Sequence, residues 1–206
     1  MKSWSNIKNA TVLSIAKKSI AGYLISYYLK DSYKKLCNKY NIPYKFSEIP
    51  NHDAMIYVDQ DGGKYVAESI SPRARLTPID DYLKLCTSGR ATISGYEFIN
   101  ITEEQRNNIC KYWLEKINNR PYDYLSVIII GLKIIWRDFK RLGKMCVPNK
   151  LLKSTSVITV IDEHSFYCTE GIQEAAASQG FDIWGMKYST PVSTLEIKLE
   201  GKLVET

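Results

Sequence analysis

The sequence predicts an α+β chain, a small antiparallel sheet packed against helices. Three observations predict it. Residues 53–58 and 64–69 alternate apolar and polar side chains on either side of Asp59-Gln60-Asp61-Gly62-Gly63, the pattern of a hairpin. Residues 20–35 and the stretch opened by Thr102 instead repeat apolar residues at helical spacing. The chain carries no internal repeat, low-complexity stretch or linker, so 1–206 is read as a single domain.

Taken in order, residues 11–16 (TVLSIA) predict a short buried strand. Ser19 caps a helix over 20–35 whose apolar side is expected to hold Ile20, Leu24, Tyr27 and Tyr28. Residues 38–50, with two prolines, form a loop that leads into the hairpin. Pro72 marks a bend over 71–75, a short helix follows at 79–85, and a strand is expected at 95–100. Thr102 and Gln105 make a capping box. The helix they open aligns Ile109, Trp113 and Ile117 and ends before Pro121. An apolar helix over 127–136, a strand at 157–161, a helix from Cys168 to Ser178 stopped by Gly180, and a last strand at 194–199 complete the reading.

Composition narrows the function classes. A hydrophobic fraction of 45% and a charged fraction of 24% are those of an ordinary globular protein. The net charge of +6 is mild, and its densest piece, Arg137, Lys140, Arg141 and Lys144, reads as a solvated helix face. An anionic partner is the competing reading, but no zinc-finger spacing or aromatic-interleaved basic motif points to nucleic acid. The five cysteines (Cys37, Cys86, Cys110, Cys146, Cys168) are odd in number and scattered, as reduced thiols are. Without a CxxC pair, and with only His52 and His164 as histidines, no metal or other cofactor is expected. The longest apolar run, 127–135, is broken by Lys133 and falls short of the roughly 20 residues a membrane span needs. No secretory signal opens the chain, which predicts a cytoplasmic protein, or one carried inside a larger particle such as a phage virion.

Cys168 is the residue with chemistry to offer. A thiol at a helix N-terminus faces free amides and the positive end of the dipole, which favour the thiolate. A histidine within reach would make it a nucleophile. His52 stands at the start of the first hairpin strand, on the face shared by Ala54, Ile56 and Val58. Glu68 on the returning strand falls near it, where a carboxylate would fix the imidazole tautomer and stabilise the imidazolium. His164 is the rival base, in a loop four residues before the thiol. Glu170 points away from the thiol and complements the dipole. Cys37, Cys86, Cys110 and Cys146 are read as packing residues, and Tyr122 and Tyr124 as cleft lining or helix anchors.

Several segments carry a family pattern in order. They are Asn9-Ala10-Thr11-Val12-Leu13, Asn51-His52-Asp53-Ala54-Met55-Ile56, Val66-Ala67-Glu68-Ser69, and Ile101-Thr102-Glu103-Glu104-Gln105. Tyr122-Asp123-Tyr124, Cys168-Thr169-Glu170-Gly171-Ile172 and Thr190-Pro191-Val192-Ser193-Thr194-Leu195 follow. In this the chain resembles the circularly permuted papain-like fold, and more closely the YiiX/YebB-like branch of the NlpC-type cell-wall peptidase superfamily. The resemblance implies Cys168 as nucleophile, His52 as base and Glu68 as orienting acid. The family's Gly-Asp is Asn9-Ala10 here, and its common serine before the histidine is Asn51.

Two function classes follow. One is a thiol hydrolase acting on an amide of a cell-wall peptide or on the acyl bond of a lipid-like substrate. The other is a structural or interaction protein, such as a phage virion component bound to other virion proteins, that keeps the fold without turnover.

Overall fold

The computed structural model describes residues 4–123, 168–182 and 190–205. Six strands form one sheet: β1 (Val12–Lys17), β2 (His52–Val58), β3 (Lys64–Ile70), β4 (Arg73–Pro78), β5 (Ala91–Phe98) and β6 (Leu203–Glu205). Their order across the sheet is β4-β3-β2-β1-β5-β6, and every neighbouring pair is antiparallel. Among the described residues the α-helices are α1 (Ile20–Tyr40), α2 (Ile79–Thr87), α3 (Glu103–Tyr112), α4 (Cys168–Ala177) and α5 (Pro191–Leu199). Helix α3 continues into a π-turn over Trp113–Ile117. None is long and apolar enough to cross a membrane.

Strand alternation gives the sheet two apolar faces. On one, Val12, Met55, Ala67 and Phe98 pack against Ile109, Trp113 and Ile117, and against Ile172, Ala175 and Ala176 of α4. On the other, Leu13, Ile15, Ala54, Ile56 and Val66 pack against Ile79 and Tyr82 of α2. A third cluster of Leu29, Tyr33, Leu36, Ile49 and Val192 joins α1 to α5. The site described below lies where α4 meets the end of β2.

The hairpin, the helix from Ile79 and the Thr102–Gln105 capping box form as the sequence predicts. Elsewhere the structure corrects it. The expected bend at 71–75 is mostly strand: β4 begins at Arg73 and carries Arg73 and Arg75, cations that also discourage edge-to-edge pairing. The expected strand at 194–199 is the helix α5. Thr190 and Ser193 cap each other's amides and Pro191 sits in the first turn, so the local start signal overrides the short alternation that follows.

The expected apolar stripe of α1 is also displaced. Ile20 is 85% and Leu24 54% exposed, while Gly22, Ser26, Leu29, Tyr33 and Leu36 face inward. The cause is steric. A Cβ on Gly22 would lie 2.4 Å from the Lys17 carbonyl oxygen, so the first turns press against β1 with small residues and the large ones turn outward. The helix expected at 127–136 and the strand expected at 157–161 lie outside the described residues.

Candidate active site

β2 begins at His52, which pairs with Ile15 of β1. The β2–β3 register sets Met55 against Ala67. Ala54 therefore falls opposite Glu68, and His52, two residues before Ala54, projects from the same face as a diagonal neighbour of Glu68. His52 Nε2 lies 2.8 Å from Glu68 Oε2, and both side chains are buried. The sequence predicts the proximity of these two residues, and the structure brings them into a direct contact.

Four further groups surround the carboxylate. Tyr82 donates its hydroxyl to Glu68 Oε2, and Thr77 Oγ1 donates to Oε1 at 2.6 Å. Lys17 Nζ lies 3.6 Å from Oε2 and Arg75 Nε 3.7 Å from Oε1. Lys17 also donates to the Tyr82 hydroxyl at 2.6 Å. Burial alone would raise the Glu68 pKa, but the His52 contact, the Lys17 charge and the Thr77 bond outweigh it and hold the carboxyl well below the usual range. Burial in turn lowers Lys17, partly offset by Glu68. Burial, then the Glu68 charge and hydrogen bond, push the Tyr82 phenol upward, so it stays a donor.

The thiol arrives from the other side of the sequence. Cys168 opens α4, is buried, and stands close enough to His52 to act on its charge; its thiol lies 3.9 Å from Thr169 Oγ1. With Nε2 committed to Glu68, Nδ1 is the ring nitrogen left to serve the thiol. Burial opposes a charged imidazole, yet the contacts with Cys168 and Glu68 prevail and raise His52 to about 9. An imidazole held between a thiol and a carboxylate can accept a proton from one while the other stabilises the cation.

Lys17, Thr77 and Tyr82 are absent from the sequence reading. For Lys17 a signal exists: it alternates with Leu13 and Ile15, so pairing β1 with β2 carries it to the His52 face. Thr77 and Tyr82 follow from β4 and the docking of α2, which no local pattern reports. Asn51, just before His52, is buried and structural. Its Oδ1 accepts from the Lys17 amide, and its Nδ2 donates to the Lys17 carbonyl and to Ser26 Oγ. Ala10, in the turn that leads into β1, takes the left-handed conformation at φ 58.

The remaining candidates separate clearly. Cys37 and Cys110 are buried in apolar clusters, and burial pushes the Cys110 thiol up to about 12. Glu170 occupies the first turn of α4. The Tyr122 amide donates to the Pro72 carbonyl and anchors that segment to β4. His164, Cys146, Tyr124 and the basic run at 136–144 lie outside the described residues. Among the described residues no group of three His, Cys, Asp or Glu is placed to hold a metal ion. Glu68 already faces Lys17 and Arg75, which oppose a further cation.

No family model matches the chain, and no curated protein sequence does. A solved structure does: the crystal structure of the metalloprotein yiiX from Escherichia coli O157:H7 aligns with a TM-score of 0.56 at 10% sequence identity. The alignment covers 97% of this chain and 96% of that one. At that identity the likeness is one of fold, an α+β fold shared over nearly the whole of both chains.

Proposed function

We propose that this chain is a thiol hydrolase of the permuted papain-like, NlpC-type kind. In this reading Cys168 is the nucleophile, His52 the general base and Glu68 the orienting acid. The observation that carries the reading is the buried contact of His52 with Glu68, with the Cys168 thiol at the head of α4 close enough to raise the imidazole's pKa. The chain order supports it too, with histidine on an early hairpin strand and cysteine on a late helix.

His52 takes the thiol proton, and the Cys168 sulfur attacks a substrate carbonyl carbon. The free amides at the head of α4 receive the developing oxyanion. The carbon–leaving-group bond breaks as the imidazolium of His52 returns its proton to the departing amine or alcohol. Water, deprotonated by His52, then attacks the thioester and frees the acid and the thiol. Glu68 stays ionised throughout and compensates the imidazolium charge. The substrate is a cell-wall peptide amide or a lipid-like acyl bond.

A burst assay with p-nitrophenyl acetate tests the reading. The wild type is expected to release about one equivalent of p-nitrophenolate per chain before steady turnover, and Cys168→Ala to lose the burst. His52→Gln is expected to slow acylation by about 100-fold or more. No burst at all would favour the interaction-protein reading, and a burst that survives Cys168→Ala would overturn Cys168 as the nucleophile.

A further inference from the structure

Behind the Cys168–His52 pair, a second polar contact runs one residue further along each element. Asp53 follows His52 on β2 and so projects toward the opposite face of the sheet, the face on which α4 packs; Thr169 follows Cys168 in the first turn of that helix. There Thr169 Oγ1 donates to Asp53 Oδ2 at 2.9 Å. Thr194 Oγ1 of α5 donates to the same oxygen at 2.7 Å. All three side chains are wholly buried. One carboxylate oxygen thus ties together the strand that holds His52, the helix that holds Cys168, and α5.

This carboxylate is costly to keep. Its other oxygen, Oδ1, has no hydrogen-bond partner, and neither does the hydroxyl of Ser14 or Ser69. Ser14 is the register partner of Asp53 on β1. Ser69 falls opposite it on β3 when the Met55–Ala67 pairing is carried two residues on. A buried carboxyl served by two neutral hydroxyls on one oxygen is poorly compensated for leaving water. Burial accordingly raises its pKa to about 6 against the lowering effect of Thr194 and Thr169. An apolar residue would pack this row at lower cost, so the gain lies in what the oxygen holds in place. Gly171 shows how closely α4 is drawn down: a Cβ there would lie 3.2 Å from Ser69 Oγ.

We propose that Asp53 is the positioning residue of the site, its Oδ2 clamping the head of α4 through Thr169 so that Cys168 stays within hydrogen-bond reach of His52. The inference rests on the Cys168–His52 pairing of the proposed function. Asp53 hydrogen-bonds neither the thiol nor the imidazole in that arrangement and acts through Thr169, whose Oγ1 lies 3.9 Å from Cys168 Sγ.

The imidazole of His52 reports the thiol's position, because Cys168 and Glu68 raise its pKa while Lys17 lowers it; the Asp53 charge also acts on it, so Thr169 rather than Asp53 is the informative site of substitution. Its titration is followed by NMR of the folded protein, with His164→Gln separating the second histidine. Thr169→Val removes the hydroxyl at constant shape, Thr169→Ser restores it, and Asp53→Asn keeps an acceptor oxygen.

Cys168→Ala and Thr169→Val are both expected to lower the His52 midpoint by about one unit or more. Thr169→Ser is expected to hold it near the wild-type value, and Asp53→Asn, which keeps the acceptor oxygen but removes a charge that acts on the imidazole, to lower it less than Thr169→Val does. If Cys168→Ala lowers the midpoint but Thr169→Val changes only the melting temperature, Asp53 is a packing residue and the clamp is overturned. If Cys168→Ala itself leaves the midpoint unmoved, the thiol–imidazole pairing is wrong, and the clamp falls with it.

Discussion

Glu68 collects more positive charge and more donors than orienting one imidazole requires. His52, Tyr82, Thr77, Lys17 and Arg75 all converge on its two oxygens. The pairing makes stability pH-dependent, and the signs differ between groups. Glu68, depressed below its ordinary 4.5, contributes stability that is present above 4.5 and lost as pH falls through its folded value. His52, raised from 6.5 to about 9, contributes stability that is full below 6.5 and lost as pH rises through 9. Asp53, raised from 3.8 to about 6, likewise stabilises below 3.8 and loses that contribution as pH rises through 6. The melting temperature is therefore expected to peak near pH 5 and to decline by pH 9. Thermal melts across this range check it, and His52→Gln should flatten the limb above 6.5. Side-chain parity made the His52–Glu68 pairing legible in the sequence. Asp53 was legible only as a strand residue, because its partners Thr169 and Thr194 lie 116 and 141 positions away.

Helix α4 is set by its close approach to the sheet. Gly171 faces Ser69 Oγ and Ile117 Cγ2, each 3.2 Å from where a Cβ would sit, and both neighbours are buried. Gly171→Ala would gain about 1 kcal/mol of helix propensity and lose about 1–3 kcal/mol to overpacking. A net loss of about 1 kcal/mol in urea unfolding is expected, with the head of α4 and Cys168 lifted from β2. The elements that declared themselves in the sequence carried their signals locally: the Asp59–Gly63 turn, the Thr102–Gln105 box and the helix from Cys168. Those misread were governed by something else. α5 obeyed its cap over its alternation, and β4, two of whose six residues are arginines, formed because β3 offered it an edge. The inward face of α1 was chosen by where Gly22 and Ser26 let it approach β1.

At the scale of the molecule, one sheet divides the site's labour between its faces. One face holds His52, Glu68, Lys17 and Tyr82, and the other holds Asp53 with Thr169 and Thr194. The α+β class was legible because the hairpin and the two periodicities are local. The strand order was not, since β1 sits between β2 and β5 by pairings that span tens of residues. The yiiX structure aligns over 97% of the chain at 10% identity, so the architecture persists where most side chains differ. The central claim is that this architecture activates one thiol among five.

The alkylation rate of each cysteine with iodoacetamide, mapped by mass spectrometry on the folded protein from about pH 4 to about pH 10, tests that claim most directly. Cys168 is expected to react faster than Cys37, Cys86, Cys110 and Cys146, and to lose that advantage in His52→Gln. A Cys168 that reacts no faster than the other four, or is indifferent to His52, would contradict the account.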